Sequence, residues 1–137
     1  MSNLLITNID SIDLYKIKLI NNHKNYMIQF KTNKLTLLGI PFICNVQVIN
    51  STPNEYFVKL TNNKEILFLK KLDKYFENQL TNYSSLLHYY KDDIGLIFYK
   101  NNIISPILYK KPTKLYLNIK FINKGYYNTP IIHIIIE

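Results

Sequence analysis

The chain of 137 residues contains no arginine, no alanine and no tryptophan, and it has one cysteine, Cys44, and three glycines, Gly39, Gly95 and Gly125. Each shortage excludes something. A lone cysteine permits no internal disulfide and points to a reducing compartment; with Val46 and Val48 on its strand face, it reads as core. Three scattered glycines form no GxGxxG or Walker loop to cradle phosphate. His23, His88 and His133 stand apart, with no partner at metal-ligand spacing and no HExxH, so neither metal nor cofactor is expected. What remains cannot assemble a nucleophile, its base and an oxyanion donor, which argues against an enzyme. Asp92 and Asp93 are adjacent carboxylates that read as a solvated turn rather than a cation site. The longest apolar runs, such as "IIHIII", are too short to cross a bilayer, so no membrane partner is expected. The opening "MSNLLITNID" lacks a basic segment leading into an apolar one, so no secretory leader is expected and an intracellular setting is.

Lysine is abundant instead. All 17 basic residues are lysine against 9 acids, a formal charge of +8. Residues 1–50 carry five lysines against two acids, residues 51–93 six against six, and residues 94–137 six against one, which is +3, 0 and +5. Lys, Asn, Ile and Tyr are also the residues of A/T-rich codons, so a biased genome alone can produce this composition. Basic ends around a neutral middle are not what uniform bias predicts. They point to polyanions, anionic membrane or acidic proteins as partners.

Length and a hydrophobic content of 47% fit one globular domain over residues 1–137. Period-two alternation fills the early chain: Tyr15, Ile17 and Leu19; Tyr26, Ile28 and Phe30; Cys44, Val46 and Val48; and Tyr56, Val58 and Leu60 against Phe57 and Lys59. Asn62 as N-cap with Glu65 three residues on makes a capping box, and Leu69, Leu72, Phe76 and Leu80 follow at helical spacing, predicting a helix from about 63 to 79. Residues 81–93 are ambiguous between a short helix and a loop. Strands resume with "IGLIFYK", a turn at Asn101 and Asn102, "IISPILYK" with Pro106 at an edge or bulge, "KLYLNIKF" and the closing "IIHIIIE". The expectation is a mainly-β chain with one central helix, α+β in class, built as a small OB-like antiparallel barrel or a β-sandwich.

Tyrosine interleaves with the lysines, as in Tyr15-Lys16, Tyr90-Lys91, Tyr99-Lys100 and Tyr109-Lys110-Lys111. Single-stranded nucleic acid binds cationic grooves that follow phosphate and aromatic rings on which bases stack. The candidate contacts are Lys16, Lys18, Lys31 and Lys34 from the early strands, and Tyr99, Lys100, Tyr109, Lys110, Lys111, Lys114, Tyr116 and Lys120 from the late ones. A strand face of Lys114, Tyr116, Asn118 and Lys120 against buried Leu115, Leu117 and Ile119 supplies both components, although any half-buried sheet alternates in this way. Without arginine, bidentate guanine recognition is impossible, so binding to single-stranded DNA or RNA is expected to be sequence-tolerant and salt-sensitive.

Three stretches carry a family resemblance: "NYMIQFKTNKLTLLGIPF", "KEILFLKKLDKYFENQL" and "ILYKKPTKLYLNIKF". In order and type they resemble the OB-fold-like single-stranded DNA-binding proteins of nucleocytoplasmic large DNA viruses, of giant-virus and asfarvirus type. That resemblance implies a viral protein of the host cytoplasm or virion. The chain departs from the family in lacking a tryptophan after the helix and in ending on "IIHIIIE" rather than an acidic tail. A different class stays open: a capsid or assembly component whose strand edges pair with another chain, with a homo-oligomer as one form.

Overall fold

The computed structural model describes residues 9–32, 36–99 and 113–134. Two 3-10 turns, Ile9–Ser11 and Leu14–Lys16, lead into β1 (Ile17–Asn21), β2 (Asn25–Lys31), β3 (Thr36–Leu38), β4 (Ile40–Ser51), β5 (Glu55–Leu60), α1 (Asn63–Gln79), β6 (His88–Tyr90), β7 (Asp93–Tyr99), β8 (Thr113–Lys124) and β9 (Asn128–Ile134). The nine strands form one antiparallel sheet in the order β1-β2-β8-β4-β5-β7-β6, with β3 on β2 and β9 on β8. This is the mainly-β chain with one central helix that the patterning predicts. It is not closed into a barrel, so of the two expected forms the OB-like barrel is not formed, while the sheet fits the α+β or β-sandwich form. The strand expected at "IISPILYK", with Pro106, and the turn at Asn101 and Asn102 lie outside the described residues.

A corner organises the sheet. β1 takes one side of β2, so β8 (through Asn25–Met27) and β3 (through Gln29–Lys31) must share the other. β9 likewise takes one side of β8, leaving β4 and β2 to follow each other along the opposite side. The chain passes from β3 to β4 at Gly39, whose φ of +92° an L side chain rarely adopts. A Cβ there would also lie 2.4 Å from Asn118 Oδ1. Glycine is therefore required where the strand leaves β2 and joins β8.

Helix α1 covers the inner face. Asn62 Oδ1 accepts from the Lys64 and Glu65 amides, as an N-cap should, and Phe68, Leu69, Leu72 and Phe76 are buried. Phe68 meets Phe42 of β4 edge-on at 5.8 Å, and the Tyr75 hydroxyl donates to the Ile17 carbonyl of β1 at 2.9 Å. Glu65 does not reach back to Asn62 as a capping box would. Its carboxylate instead accepts from the Asn45 amide at 2.7 Å and from Asn45 Nδ2 at 2.8 Å. The β4–β5 register ends at Val46–Leu60, so the next β4 amide needs an acceptor from elsewhere.

Two further expectations differ from what forms. Phe57, assigned to the outer face of β5, is buried at 4% exposure because Gly95 of neighbouring β7 leaves room for its ring and Tyr90 packs on it at 5.7 Å. Residues 81–93 are not a helix: they contain β6, and the preceding turn is fastened by Asp73 of α1. The Asp73 carboxylate accepts from the Tyr83 hydroxyl at 2.7 Å, the Leu86 amide at 2.7 Å and the Ser85 hydroxyl at 2.5 Å. Leu86 and Leu87 are thereby held in the core.

Candidate nucleic-acid interface

Alternation in β1 and β2 decides which side chains meet solvent. Ile17, Ile28 and Phe30 are buried, so the neighbours Lys18, Gln29 and Lys31 project from the other face. The register sets Lys18 opposite Gln29 and Lys31 opposite Thr36. Before β1, Asp13 caps the short turn Leu14–Lys16 by accepting the Tyr15 amide at 3.0 Å, which leaves the Tyr15 ring 93% exposed. Together, Tyr15, Lys16, Ile17, Lys18, Gln29, Lys31 and Thr36 line an open groove of about 310 Å3. Lys18 and Lys31 have no acidic partner among the described residues. The groove is thus lined by three lysines and an exposed ring around a floor whose backbone Tyr75 ties to α1.

The face of β8 alternates as expected but is less open. Leu117 and Ile119 are fully buried, Lys114 is exposed, and Tyr116, Asn118 and Lys120 are half-buried. Asn118 lies against Gly39, and its Oδ1 is buried with no hydrogen-bond partner, which makes it packing at the corner rather than a contact for a ligand. Lys120 falls at the register shift between Ile119 and Phe121. Tyr99, 59% exposed, stands elsewhere, lining a cleft of about 280 Å3 between β6–β7 and β9 that also holds His88 and His133. The structure therefore brings Lys16, Lys18 and Lys31 together and leaves Tyr99 apart. Lys34, Lys100, Tyr109, Lys110 and Lys111 lie outside the described residues.

The tyrosines divide by role. Tyr26, Tyr56, Tyr75 and Tyr83 pack against the core, and burial together with the adjacent Asp73 pushes the Tyr83 hydroxyl far above its usual range. Tyr15, Tyr89, Tyr99, Tyr126 and Tyr127 stay exposed. The last two, with Lys24 and Lys124, are not singled out by the alternation of lysine and tyrosine along the strands. Their signal is the doublet in "KGYYN", because a connecting turn runs over the surface and keeps its side chains there. Among the described residues no three His, Cys, Asp or Glu side chains gather to hold a metal. Among them, too, no helix is long and apolar enough to cross a membrane. Comparison with protein-family models, curated proteins and solved structures finds no match for the chain.

Proposed function

We propose that the chain binds single-stranded nucleic acid with little sequence preference, using the β1–β2 groove as its principal contact. Lys16, Lys18 and Lys31 take phosphates, and a base stacks on Tyr15. Lys114, with Tyr116 and Lys120 beside it, gives β8 a second, shallower contact. One observation carries this reading: three lysines from the early basic segment line one groove with a ring that is 93% exposed. A ring left in water beside amines suits a nucleobase flanked by phosphates. Lys18→Glu/Lys31→Glu is expected to abolish retention on a single-stranded oligonucleotide at low salt; retention equal to that of the unaltered chain would remove the groove from the function.

A second reading rests on β9. It pairs with β8 alone as a strand, and its other side makes a bridge only at Tyr83–Asn128 among the described residues. Ile131, Ile132 and Ile134 are each half-buried, so both faces carry aliphatics. A second copy adding a strand there would make an assembly protein. Light scattering separates the two, because a monomer that binds oligonucleotide supports the first and an oligomer indifferent to it supports the second.

A further inference from the structure

The β8–β9 turn places two tyrosines in water, and the surrounding structure holds their base firmly. Tyr126 is 87% exposed and Tyr127 53%, with their rings edge-on at 4.8 Å. On one flank, Lys124 Nζ donates to the Asn22 carbonyl at 2.6 Å and to Asn21 Oδ1, and lies 4.5 Å from the centre of the Tyr26 ring. On the other, Asn128 donates from its amide to the Asn82 carbonyl at 2.8 Å and from Nδ2 to the Thr81 carbonyl at 2.7 Å, and its own carbonyl accepts the Ser84 amide at 2.9 Å. The Lys124 amide also reaches the Lys24 carbonyl in the β1–β2 turn. The turn thus stands beside the exposed His23 and Lys24. These residues close the end of the β1–β2 hairpin opposite to Tyr15, Lys16 and Lys31.

Two rings of this size left in water forgo a large apolar burial. Tyrosine, with no exposed aliphatic side chain next to it in the turn, is suited to stacking more than to insertion into lipid. The fixed base means that little ordering remains to be done when a flat partner arrives. From these observations we infer that the β8–β9 turn is a second base-stacking station for the same single strand. The strand runs along the β1–β2 hairpin from Tyr15 to its far end, where Tyr126 and Tyr127 stand, with Lys18 between the stations and Lys24 at the far end. At about 3.3 Å per residue, β1 separates the stations by roughly 15 Å, which takes more than one nucleotide to span. This inference rests on the nucleic-acid reading above.

The test uses the full chain and fluorescence anisotropy with labelled oligothymidylates of about 2 nucleotides, too short to reach from Tyr15 to Tyr126, and of about 16, the upper site size for grooves of this kind. Tyr126→Ala/Tyr127→Ala is expected to weaken binding of the longer oligomer by about tenfold or more and to leave the shorter one unchanged. Tyr126→Phe/Tyr127→Phe should bind both as the unaltered chain does, because stacking needs the rings and not the hydroxyls. Unchanged affinity of the alanine variant at both lengths, equal loss at both lengths, or a phenylalanine variant as weak as the alanine one overturns the second station. Failure of the unaltered chain to bind either oligomer overturns the nucleic-acid reading itself.

Discussion

Gly95 shows how little tolerance single positions have. A Cβ on it would lie 2.0 Å from the Val58 carbonyl oxygen and 2.9 Å from the Phe57 ring, so the β5–β7 pair would have to separate. Gly95→Ala is expected to destabilise by about 3 kcal/mol or more, visible as a lowered urea midpoint. Cys44 and Tyr83 set a different limit. Burial and the nearby Glu65 push the Cys44 thiol well above its usual 9.0, and burial and Asp73 push the Tyr83 hydroxyl well above its usual 10.0. Both groups keep their protons in the folded chain while the unfolded chain loses them, so their contribution is complete below those usual values and is lost as pH rises past them. Stability is expected to be flat in this respect up to about pH 9 and to fall beyond it. Tyr83→Phe should be weaker at neutral pH and show a shallower alkaline fall, read from urea midpoints across that range.

Helix α1 was the most legible element, because its N-cap and its apolar spacing are written locally: the predicted 63–79 is what forms. Asn62→Ala should cost about 1 kcal/mol in a chemical denaturation curve. The partner of Glu65 was not legible, since Asn45 lies 20 residues earlier and only the fold brings the two together. Glu65→Gln leaves one acceptor oxygen for two donors on Asn45, and a loss of about 1–3 kcal/mol in the same measurement is expected. Strand β6 escaped for a related reason. Its three residues carry too little pattern, and the Asp73 clamp that positions the preceding turn comes from another element. Alternation identified β1, β2, β4 and β8 but says nothing of which strands pair, so the corner at Gly39 could not be read from it. The same holds for the groove: the lysines are visible in the sequence, and their convergence depends on the β1–β2 register and the Asp13 cap.

Every one of the 17 basic side chains is lysine, and on the proposed reading lysine is a point charge on phosphate rather than a reader of bases. Affinity for single strands should therefore fall linearly on a double-logarithmic salt plot, and neutralising Lys18 and Lys31 should make that slope shallower by about 0.7 for each phosphate left without its ammonium partner. A slope that does not change with these substitutions would place the phosphate-binding lysines elsewhere. Strand β8 has a consequence for how the molecule comes to exist. Among the described residues it alone joins β2, β4 and β9, and it is Thr113–Lys124, far along the chain. On the ribosome, β2 and β4 stay without the strand that joins them until β8 emerges, so completing the sheet waits for this late segment even though α1 and β7 come earlier, as expected where distant pairings dominate. A nascent chain halted after Tyr99 should stay open to protease.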